Sequence, residues 1–197
     1  MATPPHRLPA AVACAAALVV PLVVAGPAAA DVEVRRDPRG DVSEIQGRQQ
    51  EPRPSAGVLQ LTSRHADGRV SMQVVVADLD TTSAVGANFA VGTSDERLLV
   101  AVVQRTADGE KVVGLYDTDL GQEVDCPGLQ GNLLPAADRV TASVPRSCLG
   151  RPRWVRTGAA AFAVYEEFVL SYADDALRDS RTRSPVPFVG TRRLLLD

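Results

Sequence analysis

The side chains able to do chemistry in this 197-residue chain are few, and most are carboxylates. Asp37 and Asp41 flank a Pro-x-Gly turn, while Asp174, Asp175 and Asp179 gather near the other end. Carboxylate oxygens are the ligands Ca²⁺ prefers. Asp37, Asp41, Asp174 and Asp175 are therefore the candidate metal ligands, and the two groups meet if the first and last strands are neighbours. No calcium-loop spacing is satisfied, and Asp-rich turns serve equally well as solvated turn and capping residues. As an acid and nucleophile pair, the same carboxylates would hydrolyse glycosides. Nothing in their spacing arranges such a pair.

Other catalytic machinery is excluded by supply. Beyond residue 30 the only histidine is His65, and no Gly-x-Ser-x-Gly occurs, so no nucleophile triad can be assembled. One histidine with two bridged cysteines makes no usual zinc site. His65 is expected to be a solvent-exposed residue at a strand end. Cys126 and Cys148 read as a disulfide, because an isolated pair in an exported chain is most simply a bridge and no Cys-x-x-Cys is present. Trp154, Arg153 and Arg156 form a candidate ligand surface, either an aromatic sugar platform or an anion-binding patch. The plainer readings are a tryptophan packed over the bridge and arginines on a solvated strand face.

Residues 1–30 read as a signal peptide. Arg7 precedes a run of Ala, Val and Leu, and Ala28-Ala29-Ala30 offers a small-x-small cleavage site, so the mature chain is expected to start at Asp31. Residues 31–197 suffice for one domain with a sizeable core. Its formal charge, 20 basic against 24 acidic residues once Arg7 is removed, gives no reason to expect nucleic acid as a partner. No membrane span is expected after the signal, and the expected state is a monomer.

The elements that must position these residues are strands. From Val58 to Leu79 the side-chain period is two on both sides of Asp67-Gly68, with Leu59 and Leu61 on one face and Gln60, Thr62 and Arg64 on the other. This predicts a hairpin closed by a type I′ turn. Ala87 to Val91 and Arg97 to Gln104 read as strands, the second covered on both faces. Ala107-Asp108-Gly109-Glu110 turns into Lys111 to Tyr116, Gln122 to Cys126 extends a sheet, and Pro127 to Ala137 reads as loop. Arg139 to Val144 places Val140, Ala142 and Val144 inward. Residues 44–57, rich in Gln, Pro and Gly, read as an exposed, mobile excursion. Residues 161–178 fit a helix, since Tyr165, Phe168, Val169, Tyr172 and Ala176 share helical spacing. A strand and loop fit the same stretch. Arg192 to Leu196 reads as the last strand.

The run Val-Pro-Arg-Ser-Cys-Leu from Val144, continuing into Pro-Arg-Trp-Val-Arg from Pro152, is the most distinctive in the chain. With the Asp-Pro-x-Gly-Asp turn at Asp37 and the Asp-Asp-Ala at Asp174, it resembles a group of uncharacterised secreted β-sandwich proteins of high-GC Gram-positive bacteria. More remotely, the layout is similar to sandwich modules of the family 9 carbohydrate-binding and DOMON type. The resemblance spans most of residues 31–197, though its motifs are confined to three turns. It implies a sandwich fold, an extracellular address, and a strand from Trp154 to about Val164 followed by a loop carrying Asp174-Asp175. It supplies no activity.

The sequence thus predicts an all-β, two-sheet antiparallel β-sandwich with one disulfide and at most one C-terminal helix. The expected function is an exported, non-catalytic binding or structural accessory module, whose partner is an extracellular protein or glycan and whose only candidate cofactor is Ca²⁺. The alternative is a carboxylate-based extracellular hydrolase. A deep cleft between two facing carboxylates would favour the hydrolase, and a filled sandwich with a shallow polar surface the module.

Overall fold

The computed structural model of the protein describes residues 30–37, 41–46, 54–165, 170–178 and 186–196. The signal peptide expected over residues 1–30 lies outside them except for Ala30. In chain order the strands are β1 (Asp31–Arg36), β2 (Ser43–Gln46), β3 (Val58–His65), β4 (Arg69–Val76), β5 (Ala84–Thr93), β6 (Leu98–Arg105), β7 (Lys111–Asp117), β8 (Gln122–Glu123), β9 (Gln130–Leu134), β10 (Arg139–Pro145), β11 (Trp154–Tyr165), β12 (Leu170–Asp175) and β13 (Leu194–Leu195). They form two antiparallel sheets packed face to face. The first has the order β1-β3-β4-β10-β9; the second runs β2-β12-β11-β5-β6-β7-β8, with β13 also pairing β11. The chain is an all-β sandwich.

Period-two patterning explains why these residues pack this way. On β4, Val70, Met72, Val74 and Val76 are buried, and on β10 so are Val140, Ala142 and Val144. They meet Phe89, Leu99, Ala101, Val103 and Leu115 from the second sheet in one core. Each fully buried Val, Leu or Phe contributes roughly 1.5–3 kcal/mol. The inner face of β11 is lined by Ala159, Ala161 and Ala163, whose small side chains let the opposing sheet approach closely. Thr157 Oγ1 donates to Ser63 Oγ across the inter-sheet gap at 2.8 Å, so that buried polar pair satisfies itself.

Several expectations need correction. The β3–β4 hairpin has its two-residue loop, with Ala66 N donating to Arg69 O and Arg69 N to Ala66 O. Neither Asp67 nor Gly68 adopts positive φ, however, so the turn is not type I′. Arg146 overrides the local preference by bonding both turn carbonyls, its backbone N–H donating to Gly68 O and Nη1 to Asp67 O, each at 3.0 Å. A register shift between Val58 and Gln60 displaces Leu59, so Val58 and Leu61 are buried while Leu59 is only half-buried. Gln130 to Leu134, expected as loop, is a strand, because pairing with β10 supplies backbone bonds that no apolar pattern announces. The helix considered over 161–178 is absent. Phe162 to Tyr165 belong to β11 and Leu170 to Asp175 form β12, with residues 166–169 outside the described set. The excursion expected over residues 44–57 has structured ends, since β2 covers Glu44 to Gln46, and the 3-10 turn Pro54–Ala56 carries the buried Ser55 and Ala56.

Candidate functional site

The chain crosses between the sheets directly after β1. Asp37 N still donates to Leu59 O at the edge of the first sheet. A few residues later β2 pairs with β12 at the edge of the second, Ser43 opposite Ala173 and Glu44 opposite Tyr172. Asp37 and Asp41 therefore sit on the bridge that closes this side of the sandwich. Because successive strand residues face opposite sides, Asp174 shares the core-facing side of β11 and β12 with its pairing partner Ala161, and Asp175 shares the outer side with Ala160.

This alternation separates the four carboxylates expected to act together. One oxygen each from Asp37, Asp41 and Asp174 lies within 4.8 Å of the others. Asp174 keeps 2% of its surface exposed and Asp37 9%. Asp174 Oδ2 also accepts a 2.8 Å bond from Val58 N, pinning the start of β3. Burial is the main reason its pKa is pushed up to about 7, and the nearby Asp41 charge adds to the rise against the Val58 hydrogen bond. Three crowded carboxyls at a sandwich seam can do two things: share a proton, or furnish oxygen ligands to a hard cation.

Asp175 does different work. Its two oxygens accept from Leu177 N at 3.0 Å and Phe188 N at 2.8 Å, and Arg178 Nε lies 3.8 Å away. The bond to Phe188 holds a strap, residues 186–190, across the outer face of the second sheet. The strap runs so close to β11 that a Cβ on Gly158 would collide with Phe188 O, and Gly190 N donates to Thr157 O. Arg178 stacks its guanidinium 3.4 Å from the centre of the Phe188 ring. Burial raises the Asp175 pKa, opposed by the two N–H bonds and by Arg178. The strap had no clear sequence signal. Gly158, inside a strand, is the one residue that points to a close backbone approach.

His65 overturns its expected exposure, being fully buried. It shares the inner parity of Leu61 and Ser63, and β13 covers it. Its Nδ1 lies 3.0 Å from Leu194 O. A carbonyl only accepts, so Nδ1 carries the proton. Burial lowers the His65 pKa, and the ring is neutral at pH 7.

Cys126 and Cys148 form the expected disulfide. It joins the chain after β8 to the 3-10 turn after β10, tying the second sheet to the first. Trp154 opens β11, with the guanidinium of Arg193 4.5 Å and that of Arg156 5.6 Å from its ring centre. Arg153 is exposed, and its backbone N–H donates to Ser94 Oγ. A shallow depression lined by Val113, Glu123, Val124, Asp125 and Leu129 lies beside the disulfide, and another lies on the outer face of the first sheet. Among the described residues no helix is long and apolar enough to cross a membrane. No protein-family model, curated protein or solved structure matches this chain.

Proposed function

We propose that this chain is an exported, non-catalytic accessory module that acts through a surface. The observation that carries this reading is that its chemically capable side chains are already engaged in holding segments together. Asp174 pins β3, Asp175 holds the strap, His65 holds β13, and both cysteines are bridged. A glycosidase pair must flank open space that admits a sugar. Asp174 instead faces the sandwich interior with 2% of its surface exposed. The test is release of reducing ends from a panel of polysaccharides by the full chain. No release supports the module, and release abolished by Asp174→Asn would overturn it in favour of the hydrolase.

A second reading concerns stability. The convergence of Asp37, Asp41 and Asp174 supports a Ca²⁺ bound at the seam, where it would offset the crowding of three carboxyls and fasten the bridge between the sheets. Asp175, on the opposite face, takes no part. A ligand that binds only the folded state raises the melting temperature by mass action. Ca²⁺ is expected to raise Tm at pH 8 and EDTA to reverse the rise, with no Ca²⁺ response in Asp41→Asn. An unchanged Tm at millimolar Ca²⁺ would rule the ion out and leave proton sharing as the role of the cluster.

A further inference from the structure

The outer face of the first sheet differs in chemistry from the rest of the chain. Its outward positions follow from strand parity: Gln60, Thr62 and Arg64 on β3; Arg69, Ser71, Gln73 and Val75 on β4; Arg139, Thr141 and Ser143 on β10; Gln130, Asn132 and Leu134 on β9; and Val32 and Val34 on the edge strand β1, so apolar residues rim a polar centre. Arg36 faces the same way at the end of β1, opposite Gln60. The chain carries 24 acidic residues against 21 basic, yet none of these outward positions is acidic. Arg36, Arg64, Arg69 and Arg139 make the face positive.

Register lines up the polar groups of this face in rows. Thr62, Gln73, Thr141 and Asn132 form one row across four strands, and Arg64, Ser71, Ser143 and Gln130 form the next. At about 4.8 Å between strands, each row spans roughly 14 Å. Short hydroxyl side chains at the centre and longer ones at the edges leave a trough of about 330 Å³. Its floor is held in place: Arg69 Nε donates to Ser143 Oγ at 2.6 Å and the same guanidinium donates to Ser143 O, while Ser71 Oγ and Ser143 Oγ lie 3.3 Å apart. Arg64 is exposed, and none of the ion pairs among the described residues uses it.

We propose that this trough binds an acidic oligosaccharide, a chain of hydroxyl-rich units bearing carboxylates. The inference rests on the module reading above and names its ligand class. Charge complementarity selects an anion, and Arg64 offers the planar fork that pairs with a carboxylate. Hydroxyls and carboxamides both donate and accept, so the two rows match the hydroxyls of a sugar chain. A protein partner would call for aromatic anchors at the centre, and single-stranded nucleic acid for stacking platforms. The trough lining contains no aromatic residue.

The test is affinity electrophoresis of the full chain at fixed ionic strength through gels containing alginate, dextran, polyacrylate or single-stranded DNA. Retardation by alginate above all others is expected. Arg64→Ala should weaken it about tenfold. Thr141→Val, which removes a hydroxyl and no charge, should weaken it severalfold with Tm unchanged. Trp154→Ala, on the other sheet, should leave it intact. Equal retardation by dextran would overturn the anion requirement. Retardation by polyacrylate or DNA equal to that by alginate, insensitive to Thr141→Val, would reduce the face to a generic polyanion patch and overturn the proposal. Loss of binding in Trp154→Ala alone would move the site to the second sheet. Absence of any retardation overturns the trough but not the module reading, which fails only if reducing ends are released.

Discussion

The two sides of the sandwich are fastened by different chemistry. On the β1–β2 side the sheets are joined by a chain crossing stabilised by ionisable groups, with Asp174 bonded to Val58 N and packed beside Asp37 and Asp41. On the β8–β9 side they are joined covalently by Cys126–Cys148. The first fastening responds to pH and, on the second functional reading, to cations. The second responds only to reductant. A sandwich built this way has one rigid seam and one that can be tuned, and the two can be weakened independently.

The carboxylate seam carries the largest expected effect. A carboxyl whose pKa is raised on folding holds its proton in the folded chain between 3.8 and about 7, where the unfolded chain has lost it. Stability therefore falls as pH rises through that window, by an amount of order 4 kcal/mol. Urea unfolding of the full chain at pH 5 and pH 8 checks this, and Asp174→Asn, which keeps an acceptor for Val58 N but cannot ionise, should flatten the difference. His65 works in the opposite direction. Its lowered pKa removes stability as pH falls below 6.5, so below that pH it opposes the Asp174 trend.

Breaking the covalent seam comes next. The bridge closes a loop across a sequence separation of 22 residues, for which the restricted unfolded chain accounts for about 3 kcal/mol. Cys126→Ser/Cys148→Ser should lower stability by that amount equally at pH 5 and pH 8, the contrast with Asp174→Asn that sharpens the comparison. A smaller loss, about 2 kcal/mol, is expected for Asp175→Ala, which leaves Phe188 N and Leu177 N without their acceptor. The amide of Phe188 should then gain hydrogen-exchange rate while those of β3 keep theirs. Thr157→Val, deleting the inter-sheet bond to Ser63, should cost about 1 kcal/mol by the same unfolding assay.

What the sequence disclosed, and what it hid, follows from the range of the interactions. The β3–β4 arms, β10 and the disulfide were legible because alternation and cysteine supply are local or unambiguous signals. The Asp37 turn and Asp174 were expected to meet if the first and last strands were neighbours; they meet because β2, which follows that turn, pairs β12, where Asp174 is a strand residue and not part of the expected loop. That Asp175 would leave the group was not foreseeable, because only the pairing of β12 with β11 fixes which of two adjacent aspartates faces inward. The turn at Asp67-Gly68 read correctly in place and length but wrongly in type, since Arg146, far along the chain, bonds its carbonyls. Burial of His65 was obscured for a similar reason. Its parity marked it as inward, but the strand that covers it lies at the other end of the chain. β9 was missed because Gln130-Gly131-Asn132 carries no apolar alternation. Gly131 sits where a Cβ would strike Val103, so the same tight packing that removes the side chain removes the signal.

The central claim is that the buried carboxylate at β12 is a structural fastening and takes no part in turnover. The most direct measurement is the unfolding free energy of the full chain and of Asp174→Asn across pH 4 to 8, with reducing-end release followed on the same samples. The account predicts that the stability of the wild type relative to Asp174→Asn falls as pH rises from 4 to 8, and no release from either protein. A stability difference between the two proteins that does not change with pH, or release that disappears in Asp174→Asn, would contradict it.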